Sequence, residues 1–245
     1  MPIDYLEVSE ARKLPGLRLV LTTGVPGPWG EAAKAVFGVK KIAYAPVRQT
    51  AMQVDPALLE WTRQTSAPVA MYEDERPRSG WAEILFLAER LNPESALVPT
   101  DARERAWMLG LCHEICGEHG LGWTRRLQLL AGAPAAKQDS LPWKFGGGER
   151  AAREAAQSRV LEILELLASE LKSTPGDYLM GAELRAVDLY WACFSNLILP
   201  LPHEASPMPK FIRGSYGAWD GGCPEALIEL RDRVFEQHIG LPQEF

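Results

Sequence analysis

The chain has 245 residues, 47% of them hydrophobic and 24% charged, with a formal net charge of -6, so it can bury one or two ordinary cores and is too apolar to stay disordered. The acidic balance argues against nucleic acid as a partner, because phosphate binding needs clustered Lys and Arg and Arg125-Arg126 is too short a run. No apolar run approaches membrane-spanning length, and Met1 to Ala11, which carries three acidic residues, does not read as a signal peptide, so a cytoplasmic protein with no membrane partner is expected.

Up to about residue 92, β-rich and helical runs alternate. Leu17 to Thr22 reads as a strand. Gly27-Pro28-Trp29-Gly30 then opens a helix reaching residue 38, with proline at the first helical position and glycine before it. A strand over 42–47, a helix over 56–65, a strand over 68–72 and a helix over 79–91 follow, which is a βαβ-then-ββα plan. Pro68 begins the apolar run Pro68-Val69-Ala70-Met71-Tyr72, and a sheet tolerates proline at a strand start, at an edge, or after a cis peptide. The expectation is a cis Ala67-Pro68 bond and a Val69 backbone free to pair with an added strand, which suits a small peptide ligand. Asn92-Pro93 and Val98-Pro99 then make a linker, giving domains over 1–93 and 98–245.

Beyond the linker the pattern is helical. Thr100 or Asp101 caps a helix reaching about residue 131, with Trp107, Leu111 and Ile115 on one face and Leu109, Cys112 and Cys116 on another. Ala133 to Gly148 reads as a loop. Val160, Ile163, Leu164, Leu167 and Leu171 recur at helical spacing until Pro175-Gly176. Ser195 to Gly222 reads as irregular, and a last helix runs from about Pro224 to His238. The four cysteines, Cys112, Cys116, Cys193 and Cys223, fit reduced and mostly buried thiols. His113-Glu114-Ile115-Cys116 followed by His119 fails the spacing of a helical zinc pair, because Gly117 stands where the second histidine belongs, so no metal is expected.

The order and spacing of these elements, with Leu87-Ala88-Glu89 and the stretch Gly181 to Asp188, resemble the glutathione transferase family over nearly the whole length. The resemblance implies an α/β plus all-α fold: an N-terminal thioredoxin-like domain followed by a glutathione-transferase C-terminal helical domain. It implies glutathione as co-substrate, whose thiolate attacks a small apolar electrophile in a cleft between the domains, and a homodimer. The family's catalytic Ser, Cys or equivalent corresponds to Gly27, which has neither hydroxyl nor thiol. Thiol activation is then left to the Trp29 and Gly30 amides at the positive helix end, with Thr22 or Thr23 adding a hydroxyl and the Glu31 charge opposing them.

The resemblance further implies a glutathione site at Pro68, the Val69 backbone, Ser79 and Gly80, the last two standing where the family has an acidic residue and a serine. Ser79 also reads as the cap of its helix, with Arg76 and Arg78 near enough to meet a carboxylate. Trp29, Trp107, His113 and Glu114 are expected to border the apolar substrate. Asp188 reads as half of a structural capping box, with Arg185 where serine or threonine is usual. Two other readings stay open: a non-catalytic glutathione-fold binding or scaffold protein, and a glutathione-dependent reductase or isomerase.

Overall fold

Strand β1, Leu17–Thr22, alternates Leu17, Leu19 and Leu21 with Arg18, Val20 and Thr22, and both of its faces are covered, so five of its six residues are buried. The computed structural model of the protein describes residues 3–51, 53–130 and 150–245; the loop expected over Ala133 to Gly148 lies outside them. β1 is the centre of a three-stranded sheet of order β2-β1-β3. It pairs parallel with β2 (Ala45–Gln49) and antiparallel with β3 (Val69–Tyr72). A single residue bridges each outer edge, Leu6 beside Val47 and Arg78 beside Ala70, so the last strand of the expected ββα unit shrinks to Arg78. β2 begins three residues later than the sequence pattern suggests and contains Pro46. The edge position tolerates that proline, whose carbonyl accepts the Leu6 N–H at 2.9 Å.

The two sheet faces carry different helices, as strand alternation requires. On the Val20 face, Val8 and Ala11 of α1 (Val8–Ala11) and Leu58 of α3 (Pro56–Thr62) form one cluster with Val47, Val69 and Met71. Asp55 caps α3 by accepting the Ala57 and Leu58 N–H groups at 2.8 and 3.3 Å. That helix stops short of residue 65 because Arg63 turns left-handed, at φ 59°. On the Leu21 face lies α2 (Pro28–Val39), where a Cβ on Gly30 would sit 3.5 Å from Leu21 Cδ2. α4 (Trp81–Leu91) is tied to the end of α2 by buried Lys40, whose ammonium meets Glu89 at 2.9 Å and the Glu94 carbonyl at 3.0 Å.

The chain divides into two units. The first holds the residues up to Ala96 together with Leu201–Pro209 and His238–Phe245, and the second holds Leu97–Pro200 and Lys210–Gln237. Two late stretches therefore fold with the sheet, which the linker prolines alone do not reveal.

The second unit is helical: α5 (Ala102–Cys116), α6 (Leu121–Leu130), α7 (Arg150–Ser173), α8 (Ala186–Phe194), α9 (Lys210–Tyr216) and α10 (Glu225–Val234). The single helix expected from Asp101 to about residue 131 is two helices. At the break, a Cβ on Gly120 would come within 2.7 Å of the Glu114 carbonyl oxygen, and His119 takes φ 63°. All nine residues of α8 are buried, which makes it the axis of this unit, and Trp191 on it donates to the Leu227 carbonyl at 2.8 Å. α9 lies inside the stretch expected to be irregular, and α10 ends at Val234 in a π-type turn over Phe235–Ile239. Among the described residues no helix is long and apolar enough to cross a membrane.

Candidate functional site

The end of β1 delivers Thr22 and Thr23 to a turn in which Gly24 takes φ 73°, and Gly27 then caps α2 without any side chain. Thr22 is committed elsewhere, since its hydroxyl donates to Gln49 Oε1 at 2.7 Å. Thr23 is held by its backbone, N–H to the Gln49 carbonyl at 3.0 Å, and its hydroxyl makes no hydrogen bond among the described residues. Pro28 has no N–H, and the Glu31 N–H makes the first helical bond, to the Gly27 carbonyl at 2.9 Å. The first-turn amides of α2 are therefore those of Trp29 and Gly30, where the helix dipole favours an anion. Glu31 itself is buried. Lys34 holds its carboxylate at 2.8 Å, and burial pushes its pKa up, so its opposition to a nearby anion is reduced.

The start of β3 corrects one expectation. Ala70 exchanges two bonds with Arg78, N–H to carbonyl at 2.8 Å and back at 3.0 Å. Successive residues of a strand turn their backbone groups to opposite sides, so those of Val69 face β1, where Val69 lies opposite Val20. The Val69 backbone is thus spent within the sheet. The residue with an open backbone is Ala67, which precedes the cis Ala67-Pro68 bond and has no backbone hydrogen-bond partner among the described residues. The β1–β3 pairing ends at Val20 and Val69, so Ala67 lies two residues before the paired part of β3.

A second correction concerns Ser79. Gly80 is the cap of α4, and the Glu83 carboxylate reaches back to its N–H at 3.1 Å. Ser79 stands one place earlier, exposed, with a hydroxyl that caps nothing. Arg76 pairs with Glu83 at 2.7 Å, and Glu75 pairs with Arg78 at 2.5 Å and with Arg90 at 2.7 Å. These guanidinium groups hold both carboxyls below the usual range.

Trp107, His113 and Glu114 lie on α5 but are not gathered around an apolar pocket. Trp107 donates to Glu170 Oε2 at 3.2 Å and Glu114 pairs with Arg159, both partners lying on α7, while His113 is exposed. That stretch of α5 is a polar seam between two helices. None of the four cysteines stands at the start of α2. Cys112, Cys116 and Cys193 are buried, and burial pushes the thiols of Cys112 and Cys116 well up. Cys223, in the wall of a cavity of about 400 Å³ beside α7, is pushed to about 11. Among the described residues no group of three or more His, Cys, Asp or Glu could hold a metal ion.

No family model matches the sequence, and no curated protein matches it. Solved structures do. A glutathione transferase homologue from Sulfitobacter, with bound glutathione, is 17% identical at a TM-score of 0.65 over 92% of this chain and 95% of that one. A glutathione S-transferase from Methylobacillus flagellatus, with glutathione bound, is 13% identical at a TM-score of 0.65 over 91% and 96%. The fold is that of the glutathione transferases. A maleylacetoacetate isomerase from Anaeromyxobacter dehalogenans, 18% identical at a TM-score of 0.58 over 91% and 88%, shares this glutathione transferase fold, in which a thioredoxin-like sheet unit is followed by a helical one. The sequence points to the start of α2 and to Pro68, and the open backbone of Ala67 is not among those expectations. Nothing local in the sequence marks Ala67, because the exchange between Ala70 and Arg78 is a property of the folded sheet.

Proposed function

We propose that the protein binds glutathione along Ala67, Pro68 and the start of α2 and transfers it to a small apolar electrophile. The observation that carries this reading is the open backbone of Ala67, just before the strand that pairs with β1. A peptide laid beside it as an added strand would gain main-chain hydrogen bonds and bring its sulfur to the first turn of α2. A free thiol of this type has a pKa near about 8.5, and the Trp29 and Gly30 amides would lower it by stabilising the thiolate. Thr23 supplies a side-chain hydroxyl for that sulfur. Ser79, beside the start of α4, meets the glutamyl carboxylate. Exposed Phe86 on α4 favours a homodimer, which light scattering tests.

Calorimetric titration with glutathione, followed by conjugation of chlorodinitrobenzene, tests the reading. Saturable binding with turnover is expected. Absence of glutathione binding would overturn it. Binding without turnover would favour the non-catalytic reading, which the side-chain-free Gly27 supports.

A further inference from the structure

The carboxylate of Glu31 draws on parts of the chain far from α2. Gln243 reaches it with Nε2 3.3 Å from Oε2, and the Gln243 N–H donates to the Ala205 carbonyl at 2.8 Å. Lys34, already paired with Glu31, also donates to the Glu244 carbonyl. The Glu31 charge is felt by Tyr5 and Tyr44: burial first, and then that charge, pushes both phenols up to about 12. Glu31 is 8% exposed and Gln243 5%. At that depth, removing Gln243 takes a buried donor from the Glu31 carboxylate and leaves it to Lys34. Glu31 also makes the first helical bond of α2, so whatever fixes its side chain fixes the turn that presents the Trp29 and Gly30 amides.

We infer that Glu31 is a positioning residue and that Gln243–Glu244 is the strap that holds it, keeping the first-turn amides aimed at an anion. The identity of that anion, a glutathione thiolate, rests on the reading above; the strap itself does not. Three variants of the full chain, Gln243→Ala, Glu31→Ala and Glu31→Gln, test it by amide hydrogen exchange over Glu31 to Ala35, with Ile84 to Ala88 of α4 as the internal control. In Gln243→Ala and Glu31→Ala the α2 amides should exchange about tenfold faster while those of α4 hold. In Glu31→Gln, which keeps an acceptor for Gln243, they should stay near the parent. The bound thiol, followed by thiolate absorbance, should have a higher pKa in Gln243→Ala. Unchanged α2 exchange in Gln243→Ala, or equal acceleration in α2 and α4, would overturn the strap. Faster α2 exchange with an unmoved thiol pKa would overturn the positioning role. A parent protein that fails to bind glutathione would sink the glutathione reading instead, and the exchange result would still decide the strap.

Discussion

Gly27 is the position at which one atom matters most. A Cβ there would meet nothing within 4 Å, and the backbone has φ -65°, so serine fits without strain. Its hydroxyl would add a hydrogen bond to a thiolate, worth about 1.5 to 3 kcal/mol, enough for roughly a tenfold or greater rise in conjugation rate. Steady-state kinetics of Gly27→Ser check this, and an unchanged rate with glutathione still bound would mean that the sulfur lies elsewhere. At Ser79 the structure separates two roles that the sequence leaves entangled. Because Gly80 is the cap, Ser79→Ala should leave the unfolding free energy within about 0.5 kcal/mol. Glutathione binding should weaken by about 1 to 2 kcal/mol, roughly 5- to 30-fold. Paired denaturation and calorimetry measure both, and loss of stability without loss of affinity would remove Ser79 from the site.

At the scale of the element, α8 depends on Asp188. The carboxylate is fully buried and accepts the Leu179 N–H at 2.9 Å and the Arg185 N–H at 2.8 Å, so Asp188→Ala strands two buried donors and should cost about 2 to 4 kcal/mol. Burial outweighs those hydrogen bonds and lifts its pKa to about 7, above the value of about 3.9 expected in the unfolded chain. The folded state then holds a proton that the unfolded state releases. This contribution to stability is complete below about pH 4 and is lost as pH rises through about 7. Urea denaturation across that window should show the Asp188→Asn variant losing less stability with rising pH than the parent, and parallel curves would contradict the assignment.

The same helix shows how much was legible. The capping role of Asp188 is implied by the family resemblance of Gly181 to Asp188, a pattern local in sequence, while its bond from the Leu179 N–H is not. Helix and strand order also came through, since apolar periodicity and proline placement report on it directly. Boundaries slipped where tertiary contacts decided them: α3 ends at the left-handed Arg63, and α5 breaks ahead of Gly120. Ala67 and the Glu31–Gln243 contact were not legible, because strand register and a pairing between the chain's two far ends are properties of the folded molecule.

For the whole molecule, the central claim is that a thioredoxin-like sheet unit with an open Ala67 backbone and a side-chain-free helix start binds glutathione. The most direct measurement is an amide NMR titration of the full chain with glutathione. Saturable shifts are expected at Thr23, Trp29, Gly30, Ala67, Ser79 and Gly80, with the Val69 amide keeping its sheet protection. No saturable shift at millimolar glutathione, or shifts clustered on residues outside that set, would contradict it.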